Sequence, residues 1–217
     1  MKTYGHRANN KLVLRKYLAL KNINGLEVDV SVRNNKVVVR HGPSPVVRPS
    51  LLGKIMGWID YRFFYRDPYI RSLSISLEDI FGIVRKRGLE LILDVKDINT
   101  MARILESNIM LPHNIIFTSK DHFAIRYAKE TTNYRALVSI DSLPLSIIDI
   151  INDSLADGVS INYGFIEDWL IDLLHSNNYV VYTWIVNDQA TACKLEKLGV
   201  DAVISDDPKT ILYRRCR

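Results

Sequence analysis

The sequence predicts an α/β protein that folds as a closed (β/α)8 TIM barrel, with one domain spanning residues 1–217. Short apolar strands alternate with helical segments along the chain, which is typical of βαβ units and a parallel sheet. The length of 217 residues fits a single barrel. An open doubly wound sheet is the alternative, but the sequence lacks the glycine-rich phosphate loop of its nucleotide-binding versions. Eight strands are predicted, near Tyr4, Val28, Leu93, Ile116, Val138, Ile161, Tyr182 and Val203.

The predicted elements follow one another in a regular order. A strand over Thr3–His6 precedes a helix over Lys11–Lys21, and the hairpin-like unit Gly25–His41 counts as the second strand. Gly42-Pro-Ser-Pro ends this unit, and residues 45–71 are predicted to form an aromatic and basic insertion. The later strands are predicted at Leu89–Lys96, Asn114–Thr118, Arg135–Ile140, Gly158–Asn162, Tyr179–Val186 and Ala202–Ile204. The intervening helices are predicted at Leu77–Lys86, from the residues after Lys96 to about Asn108, and at His122–Thr131, Ser146–Leu155, Ile166–Ser176 and Gln189–Leu198. A last short helix is predicted to begin at Pro208.

Composition narrows the class of protein. The chain is 47% hydrophobic and 24% charged, as expected of a globular protein, and has no apolar run of 18 or more residues. The N-terminus lacks the apolar core of a signal peptide, and only Cys193 and Cys216 are present, so a cytoplasmic location without a disulfide scaffold is expected. The formal charge of +5 favours anionic partners.

Three carboxylates predict a metal site. Glu27 and Asp29 are two residues apart in a strand and therefore point to the same face. Asp94 lies near the end of the third strand, at the same end of the predicted barrel. Three oxygen ligands suit a hard divalent cation, Mg²⁺ or Ca²⁺, better than a soft metal.

Other polar residues also fall where predicted strands end, which is the end of a barrel that carries chemistry. His6 and His41 come from different strands and are expected to face each other as an acid/base pair. Arg7 and Lys96 supply positive charge for a phosphate, and the combination favours phosphodiester cleavage. Taken singly, each residue also has a structural interpretation; Asp94 and Lys96, for example, would form a simple ion pair.

The motifs that contain these residues resemble those of the glycerophosphodiester phosphodiesterases, within the wider group of phospholipase-like barrel phosphodiesterases. The matching segments are Gly5-His6-Arg7-Ala8, Glu27-Val28-Asp29, His41-Gly42, Asp94-Val95-Lys96, Trp184-Ile185-Val186-Asn187 and Gly199 to Pro208. Three departures stand out. The Pro-Glu-Asn-Thr segment after the first motif is absent, the third carboxylate is Asp94 where the family has Glu, and Gly42 replaces the usual Asp.

The resemblance implies hydrolysis of glycerophosphodiesters to an alcohol and glycerol phosphate in a (β/α)8 barrel with one divalent cation. It implies His6 and His41 as general acid and base, and Glu27, Asp29 and Asp94 as metal ligands. Arg7, Lys96, Trp184 and Asn187 are the corresponding phosphate- and substrate-binding residues. In the mechanism assigned to the family, a glycerol hydroxyl attacks phosphorus and water then opens a cyclic phosphate.

Residues 45–71 leave the substrate open. Their aromatic and basic character suits contact with a lipid, so the expected partners are small-molecule or lipid-derived glycerophosphodiesters, with peripheral membrane contact through 45–71. No nucleic acid is expected. A lysophospholipase D-like enzyme that acts on lipid phosphodiesters is one alternative, and a catalytically weakened anion- or membrane-binding barrel is another.

Overall fold

The computed structural model describes residues 1–33, 35–41, 73–107, 109–214 and 216. Its strands are β1 (Lys2–Gly5), β2 (Gly25–Arg33), β3 (Lys36–Val39), β4 (Glu90–Val95), β5 (Ile115–Ser119), β6 (Arg135–Ile140), β7 (Gly158–Asn162), β8 (Val180–Trp184) and β9 (Ala202–Ser205). The helices of this part of the chain are α1 (Lys11–Leu18), α2 (Leu77–Arg87), α3 (Ile98–Leu105), α4 (His122–Thr131), α5 (Ile147–Asp153), α6 (Asp168–Ser176), α7 (Gln189–Leu198) and α8 (Pro208–Leu212). The insertion predicted at 45–71 lies outside the described residues.

The sheet closes into a barrel of eight parallel strands. The strand order is β1-β9-β8-β7-β6-β5-β4-β2, and β1 also pairs with β2, which completes the circle. Strand β3 is antiparallel to β2 and lies outside this circle as the second half of a hairpin. The predicted (β/α)8 barrel is therefore confirmed, and so is the treatment of the hairpin as one barrel strand.

Local sequence signals explain the ends of the elements. Ser76 caps α2 by accepting a hydrogen bond from the backbone N–H of Asp79, and acidic residues occupy the first turn of the helix. Gly88 ends α2 in the left-handed conformation, with φ at 65°. Helix α1 ends at Leu18 and is shorter than predicted, because the chain turns over residues 19–24 to enter β2.

Two apolar clusters surround the barrel wall. The larger one fills the space between the sheet and the helices. The smaller one lies inside the barrel and consists of Tyr4, Ile92, Ile116, Leu137, Tyr182, Ala202 and Ile204. This inner cluster closes the lumen, so that the cavity lies above it, at the carboxyl ends of the strands. In the described residues no helix is long and apolar enough to cross a membrane.

The two cysteines, which the sequence associates with a reducing compartment, are joined in the structure. Cys193 of α7 and Cys216 form a disulfide, and Arg214 forms an ion pair with Glu196 of the same helix. These two contacts hold Arg214 and Cys216 against α7.

Candidate active site

The predicted carboxylates meet at the barrel mouth. Alternation along β2 turns Glu27 and Asp29 into the lumen, while Val28 and Val30 pack against the helices. Asp29 is paired in register with Asp94 on the adjacent β4. The three carboxylates each offer an oxygen, and these oxygens lie within 4.8 Å of one another.

The pKa values of the three carboxyl groups shift in different directions. Burial, together with the charges of Asp29 and Asp94, raises the pKa of Glu27 well above its ordinary value. Burial also raises the pKa of Asp94, although Lys96 opposes the shift. Burial acts in the same direction on Asp29, but Lys96 and a hydrogen bond to His41 outweigh it and hold the pKa of Asp29 far below normal. Lys96 and the backbone N–H of Arg7 also lower the pKa of Glu27, but they do not outweigh its burial and the two neighbouring carboxylates.

The donor set fits a hard divalent cation. It consists of carboxylate oxygens alone, which Mg²⁺ and Ca²⁺ prefer. Glu27 and Asp29 are almost fully buried, at 4% and 2% exposure, where like charges repel strongly unless a cation lies between them. Glu27, Asp29 and Asp94 are accordingly the residues that would hold such a cation.

Strand β3 delivers His41 to this cluster. The His41 Nδ1 atom lies 2.8 Å from Asp29 Oδ1, and an Arg7 guanidinium nitrogen lies 2.8 Å from His41 Nε2. A guanidinium only donates hydrogen bonds, so Nε2 accepts and Nδ1 carries the proton that is donated to Asp29. This arrangement describes an imidazole whose Nε2 lone pair is occupied by Arg7 and becomes available as a base only when Arg7 moves away.

His6 approaches from the other side, at the end of β1. Its Nδ1 atom lies 2.7 Å from Asp206 Oδ1, and its Nε2 atom lies 3.9 Å from Glu27 Oε2. The backbone carbonyl of His6 accepts a hydrogen bond of 2.9 Å from the Tyr17 hydroxyl. Asp206 was not predicted as a site residue. Its position at the end of the eighth barrel strand, where functional residues of barrels lie, could have identified it.

Asn187 is placed differently from the substrate-binding role that the resemblance implies. Its Oδ1 atom accepts a hydrogen bond of 2.9 Å from the backbone N–H of Asp206, and its Nδ2 atom lies 3.3 Å from Asp206 Oδ2. It therefore holds the turn that positions Asp206 against His6. Trp184, by contrast, lines the cavity as predicted.

The loop after β1 contributes backbone and amide contacts. Arg7 adopts a left-handed conformation with φ at 50°, and its backbone N–H donates a hydrogen bond of 2.6 Å to Glu27 Oε2. Asn9 donates to Asp29 Oδ2 at 2.7 Å and accepts from the Asp29 backbone N–H at 2.9 Å. Sequence reasoning missed Asn9, because a short polar loop gives no sign of which amide turns inward.

The mouth of the barrel encloses a cavity of about 360 Å³. Both histidines, the three carboxylates, Arg7, Lys96 and Trp184 line it, so the structure brings together eight of the nine predicted site residues. Lys96 contacts both Asp29 and Asp94, which confirms that the ion pair exists. The cavity lining also includes four polar residues that were not predicted, namely Thr118, Lys120, Ser139 and Ser160.

Fold and site together define a (β/α)8 barrel enzyme with two histidines and three carboxylates at the carboxyl ends of its strands. Residues 82–210, more than half of the chain, match the model of the glycerophosphoryl diester phosphodiesterase family. The chain therefore belongs to this family.

Individual relatives agree with this membership. YhdW of Bacillus subtilis (strain 168), whose name assigns it provisionally to the glycerophosphodiester phosphodiesterases, is 34% identical over 59 residues. That alignment covers 27% of this chain and 24% of the relative, so it spans about a quarter of the relative's length.

Solved structures share the fold over nearly the whole chain. An Oleispira antarctica phosphodiesterase in complex with the product sn-glycerol-3-phosphate has a TM-score of 0.77 and 18% identity, covering 98% of this chain and 95% of that one. A glycerophosphodiester phosphodiesterase from Thermotoga maritima has a TM-score of 0.70 and 20% identity, covering 97% of this chain and 96% of that one.

Proposed function

We propose that this protein hydrolyses glycerophosphodiesters to an alcohol and glycerol phosphate, with Mg²⁺ or Ca²⁺ held by Glu27, Asp29 and Asp94. The observation that carries the proposal is the placement of His6 and His41 on either side of the buried carboxylates. Each imidazole is oriented through its Nδ1 atom by a separate carboxylate. Family membership supports the same reaction, and the structure of the Oleispira relative holds glycerol phosphate as its product.

The residues divide the proton transfers between them. His41 Nε2 takes the proton of a glycerol hydroxyl, whose oxygen attacks phosphorus and forms a cyclic phosphate. His6 gives a proton to the departing alcohol oxygen, so that a neutral alcohol leaves. Water then opens the cyclic phosphate with the two histidines in exchanged roles, which yields glycerol phosphate. A bound cation would stabilise negative charge on the phosphate oxygens.

Cationic side chains prepare the site for the phosphate. Arg7 contacts His41 Nε2 when no substrate is present, and a phosphate oxygen is a better acceptor for a guanidinium than a neutral imidazole. Binding of the diester would therefore draw Arg7 away from His41 and free the base. Lys96 is fixed by Asp29 and Asp94 and adds positive charge beside the carboxylates.

Variants of the two histidines test the proposal. His6→Ala and His41→Ala should each lower turnover of a soluble glycerophosphodiester by roughly 10²–10⁴-fold, because positioned acids and bases contribute that much. Release of glycerol phosphate is the measurement, with and without a chelator. His113→Ala is the matched control, since His113 is exposed and lies in the loop before β5. Wild-type rates in both active-site variants would refute the assignment.

A second candidate, action on lipid phosphodiesters, is favoured by apolar side chains at the same end of the barrel. Leu143 and Leu145, in the loop after β6, are exposed, and Leu145 is completely so. Leu145→Ser should then lower activity on micellar substrates and leave soluble substrates unaffected. Met110→Ser is the control, because Met110 is exposed in a loop at the opposite end of the barrel. Equal activity of Leu145→Ser and wild type on micelles would remove this candidate.

Location is part of the same proposal. A cytoplasmic protein with peripheral membrane contact through residues 45–71 would meet lipid-derived diesters at the membrane surface. The disulfide between Cys193 and Cys216 weighs against a reducing compartment. Fractionation of cells that produce the protein, with thiol trapping of both cysteines, tests the two points together.

A further inference from the structure

A second group of polar side chains lines the cavity beside the carboxylates. Thr118 on β5 and Ser139 on β6 each lie two residues after an inner-cluster residue, Ile116 and Leu137, and therefore share the inward face. Ser160 on β7 is paired in register with Ser139. The strands thus change from an apolar floor to a row of hydroxyls at the height of the cavity.

Two of these hydroxyls lack a partner within the part of the chain that the structure describes. Thr118 donates to Asp94 Oδ1 at 3.4 Å, but the hydroxyls of Ser139 and Ser160 make no hydrogen bond to any described residue. Ser160 is 2% exposed and still lines the cavity. Buried polar groups are nearly always hydrogen-bonded, so the buried Ser160 and the half-buried Ser139 beside it are suited to a polar ligand that enters the cavity.

Above this row lies a pair of opposite charges beside an aromatic ring. Lys120 follows β5, Asp141 follows β6, and the two side chains form an ion pair. The Lys120 ammonium lies 5.8 Å from the centre of the Trp184 ring. Both charged side chains are more than half exposed, so their pairing is weak and a ligand can replace it.

The chemistry of this set selects between classes of alcohol. An ammonium donates, a carboxylate accepts and serine hydroxyls do both, which matches a ligand with several neighbouring hydroxyls. The apolar face of a polyol ring also packs on an aromatic side chain. A quaternary ammonium alcohol would seek the face of Trp184 as well, but Lys120 already brings a positive charge to it and would repel the ligand.

We propose that Ser139, Ser160, Lys120, Asp141 and Trp184 form a subsite for a hydroxyl-rich leaving alcohol, such as glycerol, inositol or a sugar. Lys120 is the residue that disfavours alcohols with a quaternary ammonium group. This inference rests on the proposed function, because the subsite receives the alcohol that phosphodiester cleavage releases.

The test compares kcat/KM for glycerophosphoinositol and glycerophosphoglycerol with that for glycerophosphocholine. Wild type should favour the two polyol substrates by at least about 10-fold. Lys120→Met should lower kcat/KM for the polyols by roughly 10–100-fold, as expected for loss of a hydrogen bond from a charged group. It should raise kcat/KM for glycerophosphocholine. Ser160→Ala should cost roughly 5-fold on the polyols alone.

Lys194→Met is the matched control, because Lys194 is exposed on α7, away from the residues that line the cavity. A wild-type preference for glycerophosphocholine would overturn the proposal, as would equal losses in Lys120→Met on all three substrates. The latter result would mean that Lys120 serves the glycerol phosphate half, which all of them share.

Calorimetric binding separates this inference from the proposed function. Titration of the His41→Ala protein with glycerophosphoinositol and glycerophosphocholine, both in the presence of Ca²⁺, gives the same comparison without turnover. If no diester is hydrolysed by wild type but the polyol preference persists in binding and is lost with Lys120→Met, the proposed function fails and the subsite stands. Equal affinities for the two ligands overturn the subsite.

Discussion

Replacing Glu27 by Gln should stabilise the protein without metal and destabilise it with metal. The carboxylate oxygens of Glu27, Asp29 and Asp94 lie within 4.8 Å of one another. Two unit charges separated by about 5 Å repel by roughly 3 kcal/mol at an effective dielectric constant of about 20. Lys96 offsets part of this repulsion, and the raised pKa of Glu27 favours its neutral form, which relieves more of it. We therefore expect a net gain of about 1 kcal/mol in the free energy of unfolding, which corresponds to roughly 2–4 °C in Tm for a chain of this size.

The backbone contact of Glu27 survives this substitution, since the Gln carbonyl oxygen can still accept the hydrogen bond from the N–H of Arg7. The effect also has a pH dependence of known sign. Because the folded state raises the pKa of Glu27, wild type without metal loses stability as pH rises from the unfolded value of about 4.3 through the raised value. The advantage of Glu27→Gln should therefore grow with pH.

Metal should reverse the order of the two proteins. A cation at 100 times its dissociation constant adds about 2.7 kcal/mol to the wild type, and Glu27→Gln should lose most of this gain. Thermal unfolding is recorded with a chelator and then with Mg²⁺ or Ca²⁺, and Asp172→Asn, an exposed change on α6, is the control. A variant that is less stable than wild type in the chelator, or that keeps the full shift with metal, would refute the reasoning.

Three further changes have defined outcomes. Gly25→Ala places a Cβ atom against the backbone carbonyl oxygen of Glu90 in β4 and should cost about 1–3 kcal/mol of stability in urea unfolding; an unchanged midpoint would contradict the close approach. Cys193→Ser removes the disulfide to Cys216, which closes a loop of 23 residues. It should lower the free energy of unfolding by about 2–4 kcal/mol if a thiol assay shows that the wild-type cysteines are oxidised. The hydrogen bond from His6 lowers the pKa of Asp206, so its contribution is present above about pH 4 and lost as pH falls further; Asp206→Asn should flatten the acid limb of the stability curve and lower kcat, and a steeper limb would refute it.

The fold was predictable because strand positions depend on short-range patterns. The strands over Arg135–Ile140 and Gly158–Asn162 and the helices over His122–Thr131 and Gln189–Leu198 have the predicted bounds. Other ends differ by one to three residues, as for α1, where the last turn depends on how the chain enters the next strand. Closure of the barrel followed from the number of βα units.

The candidate site was predictable where a strand imposes direction on a side chain. Alternation in β2 placed Glu27 and Asp29 together, and the parallel register added Asp94. Contacts made from loops gave no such signal. Asn9 reaches Asp29, and Asn187 holds Asp206, through turns whose geometry is set by the folded barrel rather than by local sequence.

The unpredicted hydroxyls illustrate a missed use of the same rule. Ser139 and Ser160 stand at inward positions of their strands, but serine is common in strands and carries no charge to draw notice. Extending the two-residue alternation from each apolar inner position towards the strand end identifies Thr118, Ser139 and Lys120 as cavity residues. The sequence therefore already showed that polar side chains replace apolar ones on the inward face near the strand ends.

Strand β3 has a consequence for how this barrel can diversify. It pairs with β2 on the outside of the closed circle, and His41 follows it directly. Ring closure depends on β1, β2 and β4 and does not involve β3. The chain that follows His41 can therefore be exchanged without removing a strand of the ring. In protein engineering this junction is a natural graft point, at which the recognition of new diesters can be built next to an unaltered His41.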